Sequence, residues 1–296
     1  MQDPTERHTM TRHDIAIIGT GPAGLSAALT AKARNKDILL LGSDTLSSKV
    51  QKAHRIANYL GLPNVSGEEM QRTFLKQVKD AGIAITPEKV TLVYPMGDHF
   101  AIQAGGADYE ATSVIIATGV VPSKTIPGEE EFLGRGVSYC ATCDAALYKG
   151  KTAIVVGYDP SEEHEAAFLT EYASKVTYLP MYRDEPTFEA SVEVVRARPQ
   201  EITGTLKADA LVTSEGTLKA DGIFVLRESV APARLVAGLE MDGSHVRVDR
   251  SLATNVAGCF AAGDVTGTPY QYMKSAGEGN VAALSAVAYV DALARS

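Results

Sequence analysis

Ser138-Tyr139-Cys140-Ala141-Thr142-Cys143-Asp144 sets two thiols at C-x-x-C spacing with a carboxylate directly behind them. This spacing brings two sulfurs within disulfide reach at a helix start, where the helix dipole favours a thiolate. Thiol–disulfide exchange needs a proton donor for the leaving thiolate, and Asp144 stands beside the pair. Asp144 serves equally well as a plain helix cap, and two inert thiols remain the plain alternative for the cysteines. A zinc site needs about four ligands. Only Cys259 and six histidines without ligand spacing remain, so no metal is expected. Cys259, beside Phe260 in an apolar run, reads as core.

A second chemical signal lies near the N-terminus. Gly19, Gly21 and Gly24 form G-x-G-x-x-G between the apolar run at 15–18 and an alanine-rich stretch opening on Pro22 and Ala23. Each glycine has its own physical duty: Gly19 makes the tight turn, Gly21 lets the backbone approach a pyrophosphate, and Gly24 allows close helix–sheet packing. The helix N-terminus then offers unpaired N–H groups to the phosphates. A ribose-binding acid is expected after the second strand, where Asp44 stands; Asp37, before that strand, is the poorer candidate.

A third stretch, residues 151–179, repeats the strand–turn–helix–strand order, but its turn reads Gly157-Tyr158-Asp159-Pro160-Ser161-Glu162. Asp159 brings a side chain and a charge to the place where a glycine would admit a pyrophosphate. Pro160 removes a backbone donor, and Glu162 replaces a small packing residue. An acid about 4 Å from a phosphate costs roughly 1 kcal/mol in water-like surroundings and about 4 at an effective dielectric near 20.

The elements that must position these groups follow from the apolar pattern. Short buried runs at 15–18, 38–41, 114–117 and 223–226 alternate with helical stretches, and antiparallel meanders are read at 89–119 and 206–226. A helix from about Gly67 to Ala81 starts behind Ser66, and a long helix closes the chain. The expected class is α/β, with two Rossmann-like, three-layer domains of the FAD/NAD-binding type, the second inserted in the first. Expected boundaries are a loose tail at 1–11, a first domain at 12–118 and 243–296, and a central domain at 119–242. The 296 residues suffice for two domains, and three cysteines make no disulfide framework. A net charge of −8 disfavours nucleic acid and anionic membrane as partners. No apolar run approaches the roughly 18 residues of a membrane span. The polar start has no signal core, so a cytoplasmic location is expected.

The glycine turn, ATG at 117–119, CATCD at 140–144 and AAGDV at 261–265 occur together in this order. The set resembles the low-molecular-weight thioredoxin reductases, over nearly the whole chain. The resemblance implies a homodimeric FAD protein that reduces thioredoxin or a thioredoxin-like protein. It further implies FAD contacts from Gly19, Gly21, Pro22, Ala23, Gly24, Asp44, Asn58, Val90, Ala117, Thr118, Gly119, Gly263 and Asp264. Gln271 and Tyr272 stand where the family usually has Arg-Gln beside the flavin. By the same pattern Cys143 faces the flavin, Cys140 attacks the thioredoxin disulfide, and Asp144 handles protons. Rotation about linkers near Gly119–Pro122 and Ala237–Gly243 would expose the pair.

In that family the inner turn reads approximately G-G-G-x-S-A, with an H-R-R signature after the next strand. This chain has the acidic, proline-bearing turn instead, then Pro180-Met181-Tyr182, with Arg183 as the one cation expected near a 2′-phosphate. The reading is an NADPH-independent branch fed by ferredoxin. An NADPH-dependent thioredoxin reductase, a diflavin-linked disulfide oxidoreductase and a flavin-binding redox sensor without turnover are the alternatives. Ferredoxins are acidic, so docking needs a local basic patch; residues 52–55 (KAHR) and 75–79 (LKQVK) are candidates.

Overall fold

The structure is a computed structural model and describes residues 12–44, 53–120, 125–188, 191–227 and 232–295. The expected tail at 1–11, Lys52 of the first basic patch and linker residues 121–124 lie outside these residues, as does the Cys143 side chain. The chain forms two compact units, Met1–Val121 with Ala231–Ser296, and Pro122–Val230.

The first unit begins with strand β1 (Arg12–Ile18), helix α1 (Pro22–Ala33), strand β2 (Ile38–Leu41), helix α2 (Gly67–Asp80) and strand β3 (Ile85–Thr86). The meander β4 (Val90–Pro95), β5 (Phe100–Ala104) and β6 (Ala107–Ile116) follows. β1 pairs in parallel with β2, Ile15 opposite Ile38, and with β6, Ile15 opposite Ser113. Residues 15–18 are buried, which is why this strand reads as a continuous apolar run rather than an alternating one. α2 starts on a capping box in which Ser66 Oγ accepts from Glu69 N–H and the Glu69 carboxylate accepts from Ser66 N–H.

The inserted unit runs through β7 (Val137–Ser138), α3 (Ala141–Asp144), β8 (Thr152–Gly157), α4 (Glu163–Leu169), β9 (Lys175–Pro180), β10 (Glu193–Val194), β11 (Pro199–Gly204), β12 (Ala208–Thr213), β13 (Gly216–Lys219) and β14 (Gly222–Leu226). Its parallel sheet has the order β10-β9-β8-β14-β7, and β11-β12-β13 form a separate antiparallel sheet.

The chain then re-enters the first unit as α5 (Pro232–Leu235), the hairpin β15 (Met241–Asp242) and β16 (His245–Val246), β17 (Cys259–Ala261) and α6 (Tyr272–Leu293). β17 pairs with the last residues of β6, Cys259 opposite Val114, completing a seven-stranded sheet. α1 and α6 pack through small residues: Gly24, Ala27, Ala28 and Ala31 are buried on one, Gly279, Ala282, Ala283 and Ala286 on the other. A Cβ at Gly279 would lie 2.0 Å from the Ala23 carbonyl, so only glycine permits this approach. The class is the expected mixed α/β fold. Among the described residues no helix is long and apolar enough to cross a membrane.

Candidate functional site

The N-terminal turn is shaped by backbone contact on two sides and open on the third. Gly19 has φ +114°, and a Cβ there would stand 2.3 Å from the Ala117 carbonyl. A Cβ at Gly24 would stand 1.8 Å from the Gly19 carbonyl. A Cβ at Gly21 would meet nothing within 4 Å among the described residues. Gly21 is the N-cap of α1 with Pro22 behind it, and no acid stands in the first turn. The first-turn donors therefore face an open, uncharged approach.

Other expected cofactor residues converge here. The Cβ that Gly263 lacks would fall 2.9 Å from Ala23 Cβ, so AAGDV comes against the start of α1. Gly263 has φ +91°, and α6 clamps its turn: Glu278 accepts the Gly263 N–H at 2.9 Å, Lys274 Nζ donates to the Gly263 carbonyl at 2.9 Å, and Ser275 donates to Asp264 at 3.0 Å. Ala117 is buried, and Gly119 has φ +70°. Thr118 Oγ1 is buried and has no hydrogen-bond partner among the described residues. An orphaned hydroxyl beside an open glycine cradle fits a bound dinucleotide, which would supply both the missing partner and the missing contacts.

Asn58 Nδ2 donates to Gln271 Oε1 at 3.0 Å, joining two positions 213 residues apart. Tyr272 begins α6, and its phenol is raised by burial and then by the Asp264 charge. Gln271 is the N-cap of α6, and no acid stands in the first turn of that helix. Asp44 is exposed just past β2, while Asp37 is engaged by His13 at 2.8 Å. Val90 heads β4 opposite Ala104, and it follows β3, whose Thr86 carbonyl accepts the Gly42 N–H at 3.1 Å at the end of β2.

The inner turn is filled. A Cβ at Gly157 would lie 2.0 Å from the Tyr178 hydroxyl, whose ring is fully buried in β9. Tyr178 stacks edge-on against Phe188 at 5.1 Å, and burial pushes its phenol up to about 12. Tyr182 donates to Glu163 Oε1 at 2.5 Å, and Glu163 also accepts the Thr187 N–H at 2.8 Å. Pro160–Glu162 form a 3₁₀ turn in which Glu162 N–H is taken by the Asp159 carbonyl at 3.0 Å, and α4 begins only at Glu163.

On the other side of this turn, the Arg227 guanidinium lies 4.7 Å from the Tyr158 ring centre and forms a forked pair with Glu129 at 2.6 and 2.9 Å. Glu129 has no exposed side-chain surface and also accepts the Ile126 N–H at 2.8 Å. Burial alone would raise its carboxyl, but the Arg227 contact, the Ile126 amide and Tyr139 together hold it below the usual range. The expectation that Arg183 is the one cation near the next loop needs correction. Arg196 donates to the Tyr182 and Asp184 carbonyls at 2.8 Å and pairs with Glu185 at 3.1 Å, so it is committed to the loop.

Cys140 is disulfide-bonded and half-buried, whereas Cys259 is free, 1% exposed, and pushed up to about 12 by burial. Asp144 makes no capping bond to the 3₁₀ turn behind it. Its Oδ2 accepts the Ser138 hydroxyl at 2.6 Å, and Ser138 Oγ accepts the Cys140 N–H at 3.1 Å, so one serine links the cysteine backbone to the carboxylate. Glu165 of α4 reaches the start of α3, a contact without a sequence signal. Of the basic stretches, Arg55 donates to Asn64 and Lys76 pairs with Asp80. Among the described residues no cluster suited to a metal is found.

A pyridine nucleotide–disulphide oxidoreductase family model matches residues 13–279. The chain is 31% identical to a thioredoxin reductase of Listeria monocytogenes over 96% of both chains. A ferredoxin-flavin thioredoxin reductase structure from Clostridium acetobutylicum superposes with TM-score 0.94 at 52% identity, covering 97% of this chain and 100% of that one. A thioredoxin reductase structure from Gloeobacter violaceus gives 0.84 at 30% identity, over 95% of each. The chain belongs to the pyridine nucleotide–disulphide oxidoreductase family. FAD is the cofactor of the thioredoxin reductases in that family, and the open N-terminal cradle fits it.

Proposed function

We propose that this protein is a flavin thioredoxin reductase that takes its electrons from ferredoxin rather than from a pyridine nucleotide. One observation carries the reading: the inner turn is filled by Tyr178 on one side and by Tyr158, Arg227 and Glu129 on the other, while the cysteine pair of the same unit is kept. The likeness to the ferredoxin-flavin thioredoxin reductase of Clostridium acetobutylicum supports it.

In this reading FAD is held by Gly19, Gly21, Pro22, Ala23, Gly24, Asp44, Asn58, Val90, Ala117, Thr118, Gly119, Gly263, Asp264, Gln271 and Tyr272. It supplies a store for an electron pair received one electron at a time. Cys140 and Cys143 form the exchanging pair; Cys143 takes the flavin side and Cys140 attacks the thioredoxin disulfide. Asp144 gives or takes a proton at a sulfur, and the Ser138 hydroxyl on its Oδ2 holds the carboxylate in place. A homodimer belongs to the same proposal, supported by the apolar surface that Met273, Val281 and Leu284 expose on α6. Sedimentation of the FAD-loaded chain tests that part.

The main test mixes the anaerobic FAD-loaded protein with photoreduced ferredoxin and oxidised thioredoxin, and counts new thioredoxin thiols. Turnover with ferredoxin and none with NADPH is expected. Turnover with NADPH alone overturns the donor assignment.

A further inference from the structure

The first amides after Cys140 are already taken by a carboxylate. α3 has four residues and starts at Ala141, and a cysteine directly before such a turn ordinarily gains from its free amides as a thiolate. Here Glu165 Oε2 accepts the Ala141 N–H at 2.8 Å and the Thr142 N–H at 3.2 Å, and its Oε1 accepts from Thr142 Oγ1 at 3.3 Å. The Glu165 side chain is only 15% exposed, and Ala141 is fully buried. A neutral acceptor would satisfy the same amides, so the charge is an addition beyond capping.

We propose that Glu165 is a positioning residue that sets the reducing strength of the Cys140–Cys143 pair. It takes the two backbone amides that follow Cys140 and so closes them to the Cys140 thiolate. It also adds a negative charge at the same helix end. A reduced form that is less stabilised is a stronger reductant, the converse of the disulfide oxidants whose reduced form is stabilised. Asp144 acts in the same direction, and His164, exposed with Nε2 4.0 Å from Glu165 Oε1, opposes it when protonated. This gives α4 a use that does not depend on a nucleotide. The inference rests on the reading of the two cysteines as a redox pair.

Equilibration of the FAD-loaded protein in dithiothreitol buffers of graded oxidation, followed by alkylation of free thiols, tests it without any electron donor or thioredoxin. Dithiothreitol passes two electrons and two protons to the protein disulfide and closes to its own ring disulfide. Glu165→Gln keeps an amide acceptor and removes the charge. It is expected to shift the equilibrium constant about tenfold toward the protein dithiol, about 30 mV for this two-electron couple. Glu165→Ala is expected to shift the same way and also to lower the unfolding midpoint. Glu165→Asp, which keeps the charge, is expected to stay within about threefold of the parent, a tenfold change being about 30 mV. An unchanged constant in both Glu165→Gln and Glu165→Ala overturns the inference and leaves the redox pair standing. A parent disulfide that never exchanges with dithiothreitol overturns the redox reading and this inference with it.

Discussion

The two glycine turns start from the same strand–turn–helix plan and end as opposite surfaces. At the first, Gly21 faces open space, a helix of 12 residues begins at once, and its first turn carries no acid. At the second, Gly157 lies under the Tyr178 hydroxyl, a 3₁₀ turn delays the helix, and α4 has 7 residues with Glu163 and Glu165 in its first turn. The difference teaches that a nucleotide cradle is lost less by one missing glycine than by what moves into the space. Tyr178 is buried core, so the vacated site has become packing, and the buried Arg227–Glu129 pair holds the far side shut.

The comparison can be broken hardest at that ion pair. Arg227→Ala leaves a buried carboxylate without its partner and is expected to cost about 3–5 kcal/mol in the stability of the inserted unit, read by urea unfolding. The sign with pH is specific. In the parent, Glu129 is held low, so its contribution is present at neutral pH and is lost as pH falls below the ordinary glutamate range of about 4. In the variant the lone buried carboxyl is raised, so the deficit is expected to be largest near pH 7 and to narrow as acid protonates it.

Next in size, Gly21→Asp writes the inner turn's acid into the outer one. Open space spares the fold, but a charge about 4 Å from a phosphate costs roughly 1–4 kcal/mol. FAD affinity, read as flavin content at graded free FAD, is expected to fall about five- to a thousandfold. Full flavin occupancy at low free FAD would contradict the assignment of that turn. Thr118→Val is milder: it removes the orphaned hydroxyl, so the stability without FAD is expected to hold or rise, while FAD affinity falls about fivefold, near 1 kcal/mol for one hydrogen bond. Smallest of all, the double change Asp159→Gly with Glu162→Ala is expected to raise NADPH affinity by less than about threefold, because removing acids does not remove the rings. A large gain would assign the block to charge.

The parts of this contrast that were legible in the sequence are those encoded locally. The outer turn, the parallel strands and the helix start behind Ser66 are short-range patterns, and each appears where its residues put it. The acids of the inner turn were legible too. The plug was not: Glu129 and Arg227 are 98 residues apart, and nothing in either neighbourhood signals the other. Glu165 reaches Ala141 across 24 residues, and Arg196 reaches the Tyr182 carbonyl across 14, both by tertiary folding alone. β11 escaped notice because Ile202 is the one buried residue of its six and its apolar signal is thin. Asp144 was legible as chemistry but not as the partner of Ser138, since a cap and a side-chain bond have the same sequence signature.

The central claim, that electrons cannot enter through the inner turn, is tested most directly by the visible flavin absorbance of the anaerobic FAD-loaded protein. The spectrum is followed during addition of NADPH in large excess and, separately, of photoreduced ferredoxin. The flavin band should persist with NADPH and bleach fully with ferredoxin. Rapid bleaching by near-stoichiometric NADPH would contradict the account.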